Sequence, residues 1–118
     1  MKGRSQFAFG QTHETVELRR HPRVNVRIDL RDSAVVHGNT VDISESGISA
    51  ILRVEVPVGG MVRLEFTLPL GDIEVLAMVR QRNAFRYGFQ FVEASSAQDV
   101  IGRTCRQLAM EQRLASNL

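Results

Sequence analysis

The feature that most constrains this chain is an alternation of apolar and polar residues, repeated in six short segments with no helical pattern between them. Val24, Val26, Ile28 and Leu30 alternate with Asn25, Arg27, Asp29 and Arg31. Successive side chains of an extended backbone point to opposite faces, so this pattern predicts a strand with one buried face. Ala34 to Ile43 reads as a second strand, with Gly38-Asn39 marking a bulge or bend. Gly47 to Val54 is a third, and Met61 to Leu68 a fourth, with Val62, Leu64, Phe66 and Leu68 on one face. Ile73 to Gln81 and Phe85 to Val92 complete the set, and Phe85, Tyr87, Phe89 and Phe91 share a face that reads as core. Turns fall at Asp32-Ser33, Pro57 to Gly60, Pro69 to Asp72 and Arg82 to Ala84. Parallel strands need long crossovers, usually helical, and none is present between these segments. The expectation is an antiparallel sandwich or barrel.

After Glu93 the period changes. Val100, Ile101, Thr104, Cys105, Leu108 and Gln112 recur at helical spacing, with Ser95 or Ser96 as cap and Asp99 in the first turn. This helix is expected to reach about Ala115 and to cover an open end of the sheet structure. Residues 1 to 17 carry no sustained period and are expected to form a flexible arm, with Phe7 and Phe9 available for docking. Residues 18 to 118 then form one domain. A chain of 118 residues, 43% hydrophobic and 24% charged, suits one globular unit with a core that needs no staples. The single cysteine, Cys105, excludes an internal disulfide and reads as a small core residue. No apolar run approaches the roughly 20 residues of a membrane span, so no membrane insertion is expected. Met1 to Gly10 lacks the apolar stretch of a signal peptide, so the expected location is cytoplasmic.

Catalytic patterns are wanting. His13, His21 and His37 form no His-x-x-x-His pair, and there is neither a Cys-x-x-Cys pair nor a Gly-x-Ser-x-Gly elbow. Gly59-Gly60 has no following helix and reads as a turn, not a phosphate loop. The expectation is a non-enzymatic protein without catalytic residues, metal or cofactor. A net charge of +2 argues against a DNA-wrapping protein. All basic residues but Lys2 are arginines, whose planar fork pairs with phosphate or guanine and stacks on rings. Arginine-rich coding sequence alone accounts for the bulk count, so clustering carries the argument. Arg19-Arg20-His21-Pro22-Arg23 sets three guanidiniums within five residues, beside a proline that excludes a helix interior. It reads as a solvated patch or as a clamp for a phosphate or a base. Asp42-Ile43-Ser44-Glu45-Ser46-Gly47 reads as a Ser-stabilised turn or as a guanine reader. In the second reading Asp42 accepts N1–H and N2–H, Ser44 and nearby N–H groups meet phosphate oxygen, and Gly47 permits close approach.

Taken together, Arg-x-x-x-Arg at Arg19 and Arg23, one strand, and then Asp-x-Ser-x-x-Gly at Asp42, Ser44 and Gly47 resemble the PilZ domain family over about residues 18 to 115. Pro57-Val58-Gly59-Gly60, Pro69-Leu70-Gly71 and Tyr87-Gly88-Phe89-Gln90-Phe91 add to the likeness. The resemblance implies a six-stranded, Greek-key antiparallel β-barrel with a C-terminal α-helix. It also implies a receptor for the bacterial second messenger cyclic di-GMP, bound by Arg19, Arg20, Arg23, Asp42, Ser44 and Gly47. The arm would change conformation on binding and signal to a downstream protein partner. Family members often place a bulky residue against a guanine face. This chain has no tryptophan, and Arg80 or Arg82 would fill that role. The alternative is a PilZ-like protein–protein adaptor that binds no nucleotide. An RNA-binding barrel would need an exposed aromatic platform, and no DNA or RNA partner is expected.

Overall fold

The computed structural model describes residues 15–29, 34–92 and 96–116. The expected arm as far as residue 14, with Phe7 and Phe9, lies outside them. So do Leu30, Arg31, the turn at Asp32-Ser33 and the cap at Ser95.

Seven strands and one helix follow in order: β1 Val16–Glu17, β2 Arg23–Asp29, β3 Ala34–Ile43, β4 Gly47–Leu52, β5 Met61–Leu68, β6 Gly71–Asn83, β7 Arg86–Phe91 and α1 Ser96–Ser116. All pairings are antiparallel, and the hydrogen-bonded order is β1-β3-β2-β5-β6-β7-β4 with β4 pairing back onto β3. β2 to β7 therefore close into a six-stranded barrel, and closure removes the exposed edges an open sheet would carry. β1 does not add a stave. It runs along the same side of β3 as β2, with Val16 opposite Ile43 and Glu17 opposite Asp42.

The alternating residues do what their period requires. Val24, Val26, Val62, Leu64, Val75, Ala77 and Val79 are all buried in the lumen. Each large aliphatic side chain taken from water contributes about 1.5–3 kcal/mol. Tyr87, Phe89 and Phe91 are buried with them, whereas Phe85 is 54% exposed. Phe85 was expected to share their face, but the strand starts one residue later. Ala84 and Phe85 form the two-residue hairpin turn, in which Ala84 takes φ 57°. With three of the four rings inside, an exposed aromatic platform for single-stranded nucleic acid is not what this strand provides.

Two elements stop the ends. The β4–β5 connection folds over one of them. Its Val56 is buried, and its Gly59 N–H donates to Val79 O at 2.7 Å from a left-handed φ of 94°. The Val56 N–H donates to the hydroxyl of buried Tyr87 at 3.0 Å. α1 packs on β6 and β1, burying Ile101, Thr104, Cys105 and Ala109. Burial, and then the nearby negative charge of Glu45, push the Cys105 thiol up to about 12. No helix among the described residues is long and apolar enough to cross a membrane.

Candidate functional site

The arginine segment is an interruption within one long strand. Leu18 N–H donates to Val41 O at 2.8 Å, and the next rung is Arg23 opposite Asn39. Arg19, Arg20, His21 and Pro22 therefore stand opposite Thr40 alone. A bulge of this size bends the strand and throws its extra residues outward, and Arg19, Arg20 and Arg23 are all exposed.

The excursion is closely tied to β3. Thr40 donates its N–H and its hydroxyl to Pro22 O, at 2.7 and 2.8 Å. Thr40 O lies 3.1 Å from His21 Nδ1, and Asn39 Nδ2 donates to His21 O at 3.0 Å. The turn closes with His21 N–H on Leu18 O at 3.2 Å. Arg20 and His21 take φ of 68° and 45°. Such left-handed, non-glycine backbone costs of order 1–3 kcal/mol per residue and persists only where the surroundings hold it. Buried Val16 and Leu18 on one side and Thr40 on the other supply that hold.

Asp42 lies on the outer face of the barrel, two positions from Thr40. A bulge at Val41 shifts the β3–β4 register and sets Asp42 opposite Ser49. The regular pairing at Gly38 shows that the irregularity expected there falls three residues later. The Ser49 hydroxyl donates to Asp42 Oδ1 at 2.5 Å, and Arg86 donates to Oδ2 at 2.7 Å. Arg86 Nη2 also reaches Ser49 Oγ at 3.3 Å. Neither Ser49 nor Arg86 was singled out in the sequence. Their alternation does mark them as outward-facing, but only the β3–β4–β7 register brings them to Asp42.

The turn after Asp42 is closed by Ser44 N–H on Gly47 O at 2.8 Å, with Ser46 N–H 3.3 Å from Ser44 Oγ. Gly47 is not left-handed. A Cβ there would clash with the carbonyl oxygen of Phe89, so glycine is required by the close passage of β7. Glu45 extends the other way and accepts from Arg106 of α1 at 3.3 Å. The turn is thus wedged between β7 and the helix.

The two motifs share a strand edge, but their side chains open onto three clefts. Arg19 and Arg20 line one of about 330 Å³ with Pro69, Leu108 and Glu111. Arg23 lines a groove of about 510 Å³ with Asn25, Glu65 and Asp72. Asp42, Ser49, Gln81, Arg86 and Gly88 line a third of about 490 Å³. Arg19 and Arg23, expected as a clamp on one ligand, line different clefts. Of the two arginines considered for a guanine face, Arg82 is committed to Glu55 at 2.6 Å and Ala84 O at 2.9 Å, and lies over the Tyr87 ring. Arg80 is exposed, with Met78 Sδ at 3.9 Å. Among the described residues no cluster of His, Cys, Asp or Glu could hold a metal ion.

Comparison with known proteins fits this geometry. The chain is similar in fold to the PilZ domain of YcgR from Escherichia coli, solved with c-di-GMP: TM-score 0.68, 16% identity, 91% of this chain and 97% of that one. YcgR in complex with c-di-GMP matches with TM-score 0.72 and 18% identity, over 91% of this chain and 49% of that chain. The Bacillus subtilis inhibitor of motility, MotI/DgrA, matches with TM-score 0.70 and 21% identity, over 87% and 54%. This chain spans about half the length of the last two. No curated protein matches its sequence. The family model for the PilZ domain matches residues 17–107, which begin at β1 and end within α1. With the barrel, the interrupted first strand and the Asp42 turn in place, the chain belongs to the PilZ domain family.

Proposed function

We propose that this protein is a cyclic di-GMP receptor and not an enzyme, acting in the cytoplasm. The observation that carries the reading is the adjacency of the two motifs on β3. Glu17, just before the arginine segment, stands opposite Asp42, and the four-residue excursion stands opposite Thr40. Three cations and a carboxylate are therefore carried by neighbouring backbone positions along β3, though their side chains line separate clefts. A dinucleotide carries both matching chemistries: phosphates for the guanidinium forks and guanine N–H donors for Asp42. The PilZ domain of YcgR, of the same fold, was solved with that ligand.

In this reading Asp42 takes the guanine edge and Ser44 meets a phosphate oxygen through its hydroxyl. Gly47 keeps the turn seated on β7. Arg19 and Arg23 leave their separate clefts and close over the ligand, with Arg20 beside them. The bulge makes this movement local. It can be rebuilt without breaking β1 or β2, and the strain at Arg20 and His21 favours departure from the free geometry. The arm before Val16 follows the segment, and the altered surface over β1 and α1 is read by a downstream protein.

Calorimetry tests the reading. The expected result is binding of cyclic di-GMP that weakens more than about tenfold in Arg23→Ala and in Asp42→Ala, since a charge-assisted hydrogen bond is worth about 1.5–3 kcal/mol. Absence of heat at micromolar concentrations, with the barrel folded, would leave the ligand-independent adaptor as the function.

A further inference from the structure

We infer that Arg86 sets the affinity of the site by occupying Asp42 in the free protein, and that a guanine must displace it. The inference rests on the reading of Asp42 as the guanine acceptor. Each Asp42 oxygen already has a donor. Ser49 Oγ is on Oδ1 at 2.5 Å, and Arg86 Nη2 is on Oδ2 at 2.7 Å and on Ser49 Oγ at 3.3 Å. A guanine presents N1–H and N2–H side by side and needs both oxygens along one open edge. The Ser49 hydroxyl comes from the residue directly opposite on β4 and fixes the carboxylate orientation. Arg86 instead reaches over β4 from β7, and pairs in register with Ile51 rather than with Ser49. Asp42 keeps only a quarter of its side chain exposed (25%), while Arg86 is 51% exposed. The guanidinium can therefore swing into water, whereas the carboxylate stays where it is. Arg86 remains on the wall of the same cleft after leaving, beside Gln81 and Gly88.

The pair acts as a weak competitor. A solvent-exposed ion pair is worth about 0.2–1 kcal/mol, so its removal raises ligand affinity by about 1.5- to 5-fold. Arg86 also attracts a dianion from a distance, an opposite effect that salt removes: at about 1 M ionic strength the screening length is only about 3 Å.

The experiment is a double-mutant cycle on cyclic di-GMP binding, run at low and at about 1 M salt, with wild type, Arg86→Met, Asp42→Ala and the double variant. Methionine keeps an unbranched stem without the charge. At high salt, which also weakens the exposed pair itself, Arg86→Met is expected to bind about 1.5- to threefold tighter than wild type, and the same substitution is expected to change nothing in the Asp42→Ala background. Unchanged or weaker binding at high salt overturns the inference, as does an equal change in both backgrounds. If Asp42→Ala binds as wild type does, the reading of Asp42 itself fails. Absence of binding by both wild type and Arg86→Met overturns the inference together with the receptor reading. Urea unfolding of Arg86→Met checks that the barrel is retained.

Discussion

Replacing Tyr87 by phenylalanine removes one oxygen atom from the barrel and tests how the β4–β5 connection is held. The Tyr87 hydroxyl accepts the Val56 N–H at 3.0 Å and faces Val54 O at 3.4 Å. Tyr87 is 1% exposed and Val56 3%, so water does not replace the lost oxygen without opening the loop. Losing a hydrogen bond costs about 0.5–1.5 kcal/mol net, and orphaning a buried N–H costs about 1–3 kcal/mol. Because the hydroxyl goes while the Val56 N–H and the Val54 carbonyl stay behind, the second figure governs, and about 2 kcal/mol is expected. Set against a typical total of about 5–15 kcal/mol, this is a large fraction. With a urea m-value of about 1.5 kcal/mol/M the midpoint falls by about 1.3 M. Tm falls by roughly 10 °C for a domain of this size. Hydrogen exchange at the Val56 amide is expected to be slow in wild type and to accelerate locally in the variant. A loss below about 0.5 kcal/mol with Val56 still protected would refute the reasoning, since it would mean that another partner satisfies the N–H.

Two further substitutions and one pH series follow from the same structure. Gly47→Ala drives a methyl into the Phe89 carbonyl oxygen and is expected to cost about 1–3 kcal/mol by urea unfolding. Gly102→Ala lies within α1, where the new methyl stands 3.3 Å from Arg106 Nη1 and 3.7 Å from the Glu45 carboxyl carbon; with the exposed Arg106–Glu45 pair shifting to make room, it should gain up to about 1 kcal/mol. Cys105 is held protonated by burial, its value rising from 9.0 to about 12. The folded state therefore binds the proton more tightly than the unfolded one. That contribution is fully present below pH 9 and is lost as pH rises through about 12. Alkaline unfolding curves of Cys105→Ala should lack this component, and the native thiol should resist alkylation near pH 8.

Local periodicity was enough to find β2 to β7 and the helix, because an alternating or a 3.6-residue pattern fixes which face of an element is apolar whatever it packs against; β1, only two residues long, fell within the segment read as an arm. Val24-Val26, Val62-Leu64 and Ile101-Cys105 all lie inside, as their patterns require. Where a boundary moved, a tertiary cause is visible. β6 runs on to Asn83 because it pairs with β7 up to a two-residue turn, and this leaves Phe85 outside. The two motifs were legible as residue types, and their pairing pointed to the family. Register was not legible. Asp42 and Arg86 are 44 positions apart, and no local rule says that β7 lies one strand from β3. Nor could the sequence show that Arg19–Pro22 is an excursion within a strand, since the residue opposite, Thr40, belongs to another element. The chain alone settled the chemistry offered at each position and the faces that must be buried. Only the closed barrel decided which of those groups meet, because pairing between distant strands is fixed by packing and hydrogen bonding across the whole sheet.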